Sequence, residues 1–201
     1  MATKEYACVK RTKKAFENSL AALAQDCQLN KITVKMVCEK AQLSRNAFYF
    51  HYKDIGTLIA DIEENILKEV TDIFVGLEEL SFPKNVYATI DGLIDLFESR
   101  RDIVMMLLDK SFSATFTERI SRMFSEFYYK YFRQVHGEKS KISYEFFYIF
   151  ISGGFYSIIK YWMDNPDQMS KASLKGLTYL LIKRLLVPVD PDIENISLES
   201  K

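Results

Sequence analysis

The stretch ITVKMVCEKAQLSRNAFYFHYKDIGTLIADI, residues 32–62, decides the fold. Thr33 precedes apolar positions Val34, Val37, Cys38 and Ala41, which repeat with helical spacing. A threonine there can accept from the open backbone N–H groups of a helix start. Gln42-Leu43 then reads as a tight turn, and Ser44 as the cap of a short helix ending near Phe50. Asp54 is the expected cap of a long helix whose stripe is Leu58, Ile59, Ile62, Ile66, Val70, Ile73 and Leu77. Two short capped helices across a tight turn, followed by a long helix, form the layout of a helix-turn-helix.

In that layout the second short helix lies in the major groove, with its first residues on base edges. Arg45 has the fork that matches guanine O6 and N7, and Asn46 the amide that pairs with adenine. Each such pair is worth about 1–3 kcal/mol of discrimination. Tyr49, His51, Tyr52 and Lys53 fall where phosphates or a thymine methyl are expected. Thr33 and Ser44 bring helix N-termini near the backbone, a favourable place for phosphate. Phe48 reads as core, and Tyr49 as the more exposed of the pair by helical phase.

Outward from this stretch the spacing stays helical, so the fold class is all-α. Four prolines and seven glycines in 201 residues leave room for long helices, and 48% hydrophobic residues allow a sizeable core. A first helix is expected over Tyr6 to Asp26, with Val9, Phe16, Leu20, Leu23 and Cys27 on one stripe. Ser81-Phe82-Pro83 marks a break. Further helices are expected from Val86 to Phe97, after Arg100-Arg101-Asp102, over Thr115 to Val135, over Ser140 to Asn165 and over Ser170 to Leu186. His136-Gly137 ends the aromatic one as a glycine cap, and Asn165-Pro166-Asp167 is a turn. The apolar run Phe146 to Ile159 is too short for a membrane span and predicts a helix buried on all sides.

Charge is uneven although the net is zero. Residues 1–60 carry ten Lys and Arg against five Asp and Glu, a basic head on an acidic remainder. That asymmetry fits a polyanion partner, though a solvated basic face gives the same count. Cys8, Cys27 and Cys38 are odd in number and lack metal-ligand spacing, which fits a reducing, cytoplasmic setting without disulfides. Basic residues at the N-terminus are not followed by an apolar core, so no secretory signal is expected. His51 and His136 lie far apart in sequence, and no metal or other cofactor is expected. No nucleophile elbow, phosphate loop or dinucleotide fingerprint occurs, so an enzyme is not expected.

The segment resembles the TetR/AcrR family of bacterial regulators. The resemblance rests on Thr33, Ala41, Gln42-Leu43-Ser44, Phe48-Tyr49-Phe50-His51-Tyr52 and Lys53. It implies nine or so helices: three in a DNA-binding head, a fourth linking head to body, and the last two in a dimeric four-helix bundle. It implies a helix-turn-helix domain over residues 8–68, an effector-binding and dimerisation domain over 69–188 and a frayed tail over 189–201. It places Lys35, Arg45, Asn46 and Tyr49 at or beside base-reading positions, and Thr33, Tyr49, His51 and Lys53 near phosphate. Two departures matter. The usual turn glycine is Gln42, and Ile55-Gly56 stand where a charged pair often follows. The motif Phe150-Ile151-Ser152-Gly153-Gly154, Ile158-Ile159 and Trp162 is similar to a subgroup linked to dihydroxyacetone metabolism. Glycines inside a helix cost about 1 kcal/mol each, which close helix approach at a dimer seam or beneath a pocket would justify.

Phe112, Phe116, Phe124, Tyr128, Phe147 and Tyr156 are candidates to line an apolar effector pocket, although aromatics at helical spacing also simply pack a core. The expected function is a homodimeric repressor that binds double-stranded operator DNA and is released by a small-molecule effector. The alternative is a regulator whose body docks a protein co-regulator. No membrane partner is expected.

Overall fold

A computed structural model describes residues 2–75, 84–109, 112–113, 115–136 and 141–186. The described residues contain nine α-helices, one 3-10 turn at Leu29–Lys31 and no strand. The helices are α1 (Ala2–Ala24), α2 (Val34–Ala41), α3 (Arg45–His51), α4 (Ile55–Val75), α5 (Lys84–Ser99), α6 (Arg101–Leu108), α7 (Phe116–His136), α8 (Lys141–Asp164) and α9 (Lys171–Leu186). The all-helical expectation holds. The proline break at residues 81–83, the glycine cap at 137 and the tail from 189 lie outside the described residues.

The chain divides into two compact units, Met1–Glu79 with Asp95–Phe124 and Leu80–Ile94 with Ser125–Lys201. A boundary between residues 68 and 69 falls inside α4, one continuous helix.

In the first unit, Phe16 and Leu20 of α1, Val37 and Cys38 of α2, Phe48 of α3 and Leu58, Ile62, Ile66 and Val70 of α4 are buried together with Ile103, Val104 and Leu107 of α6. Helix α1 packs against α2, α3, α4 and α6. It starts earlier and stops sooner than its apolar stripe suggests, so Cys27 lies past its end, where its backbone N–H bonds Leu23 O at 3.0 Å. A row of polar groups on α4 fastens the unit. Asp61, Asn65 and Glu69 recur every fourth residue, hence on one face, and meet Lys13 and Glu17 of α1 and Arg100 before α6. On another face, Glu63 accepts from Ser113 and Arg119, and Arg119 also reaches Glu64 at 2.5 Å.

In the second unit, Ile90 and Leu93 of α5, Ile159, Trp162 and Met163 of α8 and Leu174 of α9 are buried. Trp162 Nε1 donates to Met169 O at 2.9 Å, closing the turn between α8 and α9. Lys175 pairs with Asp91 at 3.0 Å and the Tyr87 and Tyr179 rings meet at 5.0 Å, tying α9 to α5.

Helix α8 corrects an expectation. A helix apolar nearly all round was expected to be buried on all sides, yet Phe146, Ile149 and Phe150 are exposed. A Cβ added at Gly153 or Gly154 would meet nothing within 4 Å. The helix is apolar as its spacing says, but the described residues of this chain leave part of its surface uncovered.

Candidate nucleic-acid interface

The α2–turn–α3 segment is built from local backbone chemistry. Thr33 Oγ1 accepts from Met36 N at 3.3 Å and Ser44 Oγ from Ala47 N at 3.1 Å. Each cap is worth about 1 kcal/mol. Between them Gln42 takes φ 56 and ψ 39, the left-handed region, and is the non-glycine residue there among those described. Its N–H bonds Glu39 O at 3.2 Å and the Leu43 N–H bonds Cys38 O at 3.0 Å. These two bonds satisfy the last carbonyls of α2 and reverse the chain. The turn therefore has the glycine geometry without the glycine. Asp54 Oδ1 accepts from Thr57 N at 2.7 Å and Thr57 Oγ1 at 2.9 Å. The two Thr57 bonds hold its carboxyl below the usual carboxylate range.

Helix α3 has a wet side and a dry side. Arg45, Asn46, Tyr49 and Phe50 are exposed, whereas Phe48 is fully buried. Phe48 packs edge-on against Phe16 of α1 at 5.2 Å and lies 5.6 Å from the Tyr52 ring. Buried edge-to-face pairs of this kind add about 0.5–1.5 kcal/mol beyond area. The reading candidates are thus presented together on one face, held by aromatic contacts on the other. Thr33, Lys35, Ser44 and Lys53 are exposed beside it. Lys35 also pairs loosely with Glu39 at 3.8 Å, an exposed contact of little strength.

Tyr52 corrects the expectation of a phosphate or thymine contact. It is only 3% exposed. Its hydroxyl donates to Asp61 Oδ2 at 2.8 Å, and Lys13 Nζ lies 5.4 Å from its ring centre. Burial, then the bond to Asp61, pushes its phenol far above the usual tyrosine range. Tyr52 therefore fastens the end of α3 to α1 and α4 and leaves no surface for DNA. His51 is half-buried, and burial followed by the Lys13 charge lowers its pKa.

Phe50 is the residue that sequence reasoning missed. It is 79% exposed, and its ring lies 4.9 Å from His51. In a run of five aromatic side chains, composition alone does not separate inward from outward positions. The usable signal was helical phase: Phe50 is two residues from Phe48, hence on the opposite side.

Of the pocket candidates, Phe112 and Phe116 are buried in the first unit, and Phe124 meets Phe74 edge-on at 5.1 Å in the same unit. Tyr156 is half-buried in the second unit. The side chains of Tyr128 and Phe147 lie outside the described residues. Among the described residues no cluster of three or more His, Cys, Asp or Glu has a metal-binding arrangement, and no helix is long and apolar enough to cross a membrane.

The family model for a TetR-type transcriptional regulator C-terminal region matches residues 84–184, half of the chain. The chain belongs to the TetR family of transcriptional regulators. It is 22% identical over 178 residues to the uncharacterized HTH-type transcriptional regulator YxbF of Bacillus subtilis (strain 168), covering 84% of this chain and 44% of the relative. The chain thus spans less than half the length of that curated relative. Among solved structures it is similar to the fatty acid degradation regulator FadR from Bacillus halodurans, with TM-score 0.67 at 11% identity, covering 90% of this chain and 95% of the other. It is also similar to the dihydroxyacetone kinase operon activator DhaS, with TM-score 0.59 at 16% identity, covering 87% and 94%. At these identities the two structures speak for the TetR-type fold alone. The family match covers α5 to most of α9 and so complements the head, whose motif lies outside it.

Proposed function

We propose that this TetR-family chain is a homodimeric DNA-binding repressor that a small-molecule effector releases from its operator. The observation that carries the DNA-binding part is the two-sided α3. Arg45, Asn46 and Tyr49 stand free on its exposed side while Phe48 and Tyr52 fix the other. Arg45 takes guanine O6 and N7, and Asn46 takes adenine N6 and N7. Thr33, Lys35, Ser44, His51 and Lys53 flank them toward phosphates, which set register rather than sequence.

The second copy docks on α8 and α9. Phe146, Ile149, Phe150, Gly153, Gly154 and Tyr161 share one face of α8 at helical spacing, and Leu177, Leu180 and Leu181 are exposed on α9. Open apolar faces of this extent need covering, and the bare glycines let a second backbone come close. Two reading helices about 34 Å apart then meet successive major grooves. Because α4 carries the polar contacts that hold α1 and the end of α3, an effector that shifts α4 alters that spacing. Effector and operator then weaken one another by the same free energy.

The test is a mobility shift on DNA upstream of the chain's own gene across a salt series. Support requires salt-sensitive binding that Arg45→Ala weakens by about 1–3 kcal/mol on the preferred duplex. A wild-type chain that binds no duplex at low salt sinks the proposal.

A further inference from the structure

We infer that the first half of α1 is a second phosphate-binding surface, with Lys10, Arg11 and Lys14 gripping the DNA backbone beside the groove occupied by α3. The inference rests on the DNA-binding reading of α3 and extends it to an element that reading does not use.

Lys10, Arg11 and Lys14 are exposed. Lys10 and Lys14 are one turn apart, and Arg11 is three residues from Lys14, so the three cations are neighbours on one side of α1. Among the described residues no carboxylate pairs with any of them. The acid at helical distance from Lys14 is Glu17, which is buried and accepts the Asn65 amide at 3.3 Å. Like charges at this spacing destabilise a helix, a cost that a polyanion removes. Lys13, within the same run, behaves differently: it turns inward and is spent on Asp61 at 3.0 Å. The run is therefore divided into one structural cation and three open ones.

Position favours DNA as the polyanion. Lys13 meets Asp61 and Glu17 meets Asn65, both forty-eight residues apart. Over that turn helices α1 and α4 therefore run in the same direction. Lys13, between Lys10 and Lys14 in the same run, lies 5.4 Å from the Tyr52 ring centre. The cations thus lie toward the end of the unit where α3 closes on Tyr52 and Lys53 is exposed. At that end α4 opens with Ile55 and Gly56, neither of which is charged. The three α1 cations supply, from a different helix, the charge that the start of α4 lacks.

The experiment compares the full-length wild type with Lys10→Gln/Arg11→Gln/Lys14→Gln. The probes are a duplex that the wild type enriches from a random pool and a scrambled duplex of equal length. Circular dichroism confirms that the helices are retained, and Lys10→Arg/Lys14→Arg serves as the charge-preserving control. Expected is a slope of log affinity against log salt shallower by about 0.9 per lost phosphate contact. Both duplexes should lose affinity equally, about tenfold or more per chain at moderate salt, and the control should bind as wild type. Three results overturn the inference: an unchanged slope, loss confined to the enriched duplex, or a control that binds as poorly as the glutamine variant. If Arg45→Ala still weakens the enriched duplex, the reading of α3 survives that failure. A wild type that enriches nothing and binds neither duplex overturns both.

Discussion

The Tyr52 hydroxyl and the Lys13 ammonium converge on one carboxylate oxygen of Asp61, at 2.8 and 3.0 Å. Three helices are joined there, because Lys13 belongs to α1, Tyr52 ends α3 and Asp61 lies on α4. The contact explains why an aromatic next to exposed residues faces inward: its ring fills the space beside Phe16 and Phe48 while its polar tip keeps a partner.

Tyr52→Phe keeps the ring and removes the hydrogen bond. The expected cost is about 1 kcal/mol, or about 2–4 °C in melting temperature for a chain of this length. Because Tyr52 is buried with its hydroxyl on Asp61, the salt slope of DNA binding should stay as in wild type. A slope that drops would mean the residue reaches phosphate after all.

Phe48→Ala and Phe50→Ala should part company. Phe48 is fully buried, and its loss should cost about 3–5 kcal/mol, enough to unfold the head in urea titrations. Phe50 is exposed, so its loss should leave stability within about 0.5 kcal/mol while weakening DNA binding. Equal destabilisation by both would contradict the two-sided α3.

Gln42→Gly tests the turn. A side chain in the left-handed region costs about 1 kcal/mol, which glycine avoids while adding flexibility to the unfolded chain. The expected net gain is about 0.5 kcal/mol, read as a higher denaturation midpoint at unchanged slope.

Glu17 gives stability a pH dependence. Burial raises its carboxyl above the ordinary value despite the Arg100 charge and the Asn65 bond. Between the unfolded and folded pKa values the folded state holds more proton, so its contribution to stability falls as pH rises. Glu17→Gln keeps an acceptor for Asn65 and should raise the melting temperature at pH 7. It should also flatten the profile above the ordinary Glu range. A lower melting temperature at pH 7 would show that Arg100 outweighs burial.

Phe150→Glu tests the open face of α8. Placing a charge there should shift sedimentation toward a single copy without loss of helix signal, since Phe150 makes little contact within its own chain. An unchanged oligomeric state would remove this face from the dimer seam.

Much of the head was legible because its signals are local. Thr33, Ser44 and Asp54 cap the helices they precede, since a cap needs only a backbone N–H three residues on. Gln42 stands where the resemblance expects a turn glycine, and its backbone takes the left-handed form that a glycine there would adopt. The all-helical class followed from spacing alone. Tertiary structure decided which aromatic of Phe48-Tyr49-Phe50-His51-Tyr52 faces in. All five side chains from Phe48 to Tyr52 are aromatic, and Phe16 of α1 and Asp61 of α4 select among them. It also decided that α8 keeps an open side, because periodicity counts apolar residues but not the surfaces available to cover them. The same limit applies to Lys13 beside Lys14. Sequence shows two identical cations, and the packing of α1 on α4 makes one structural and leaves the other free.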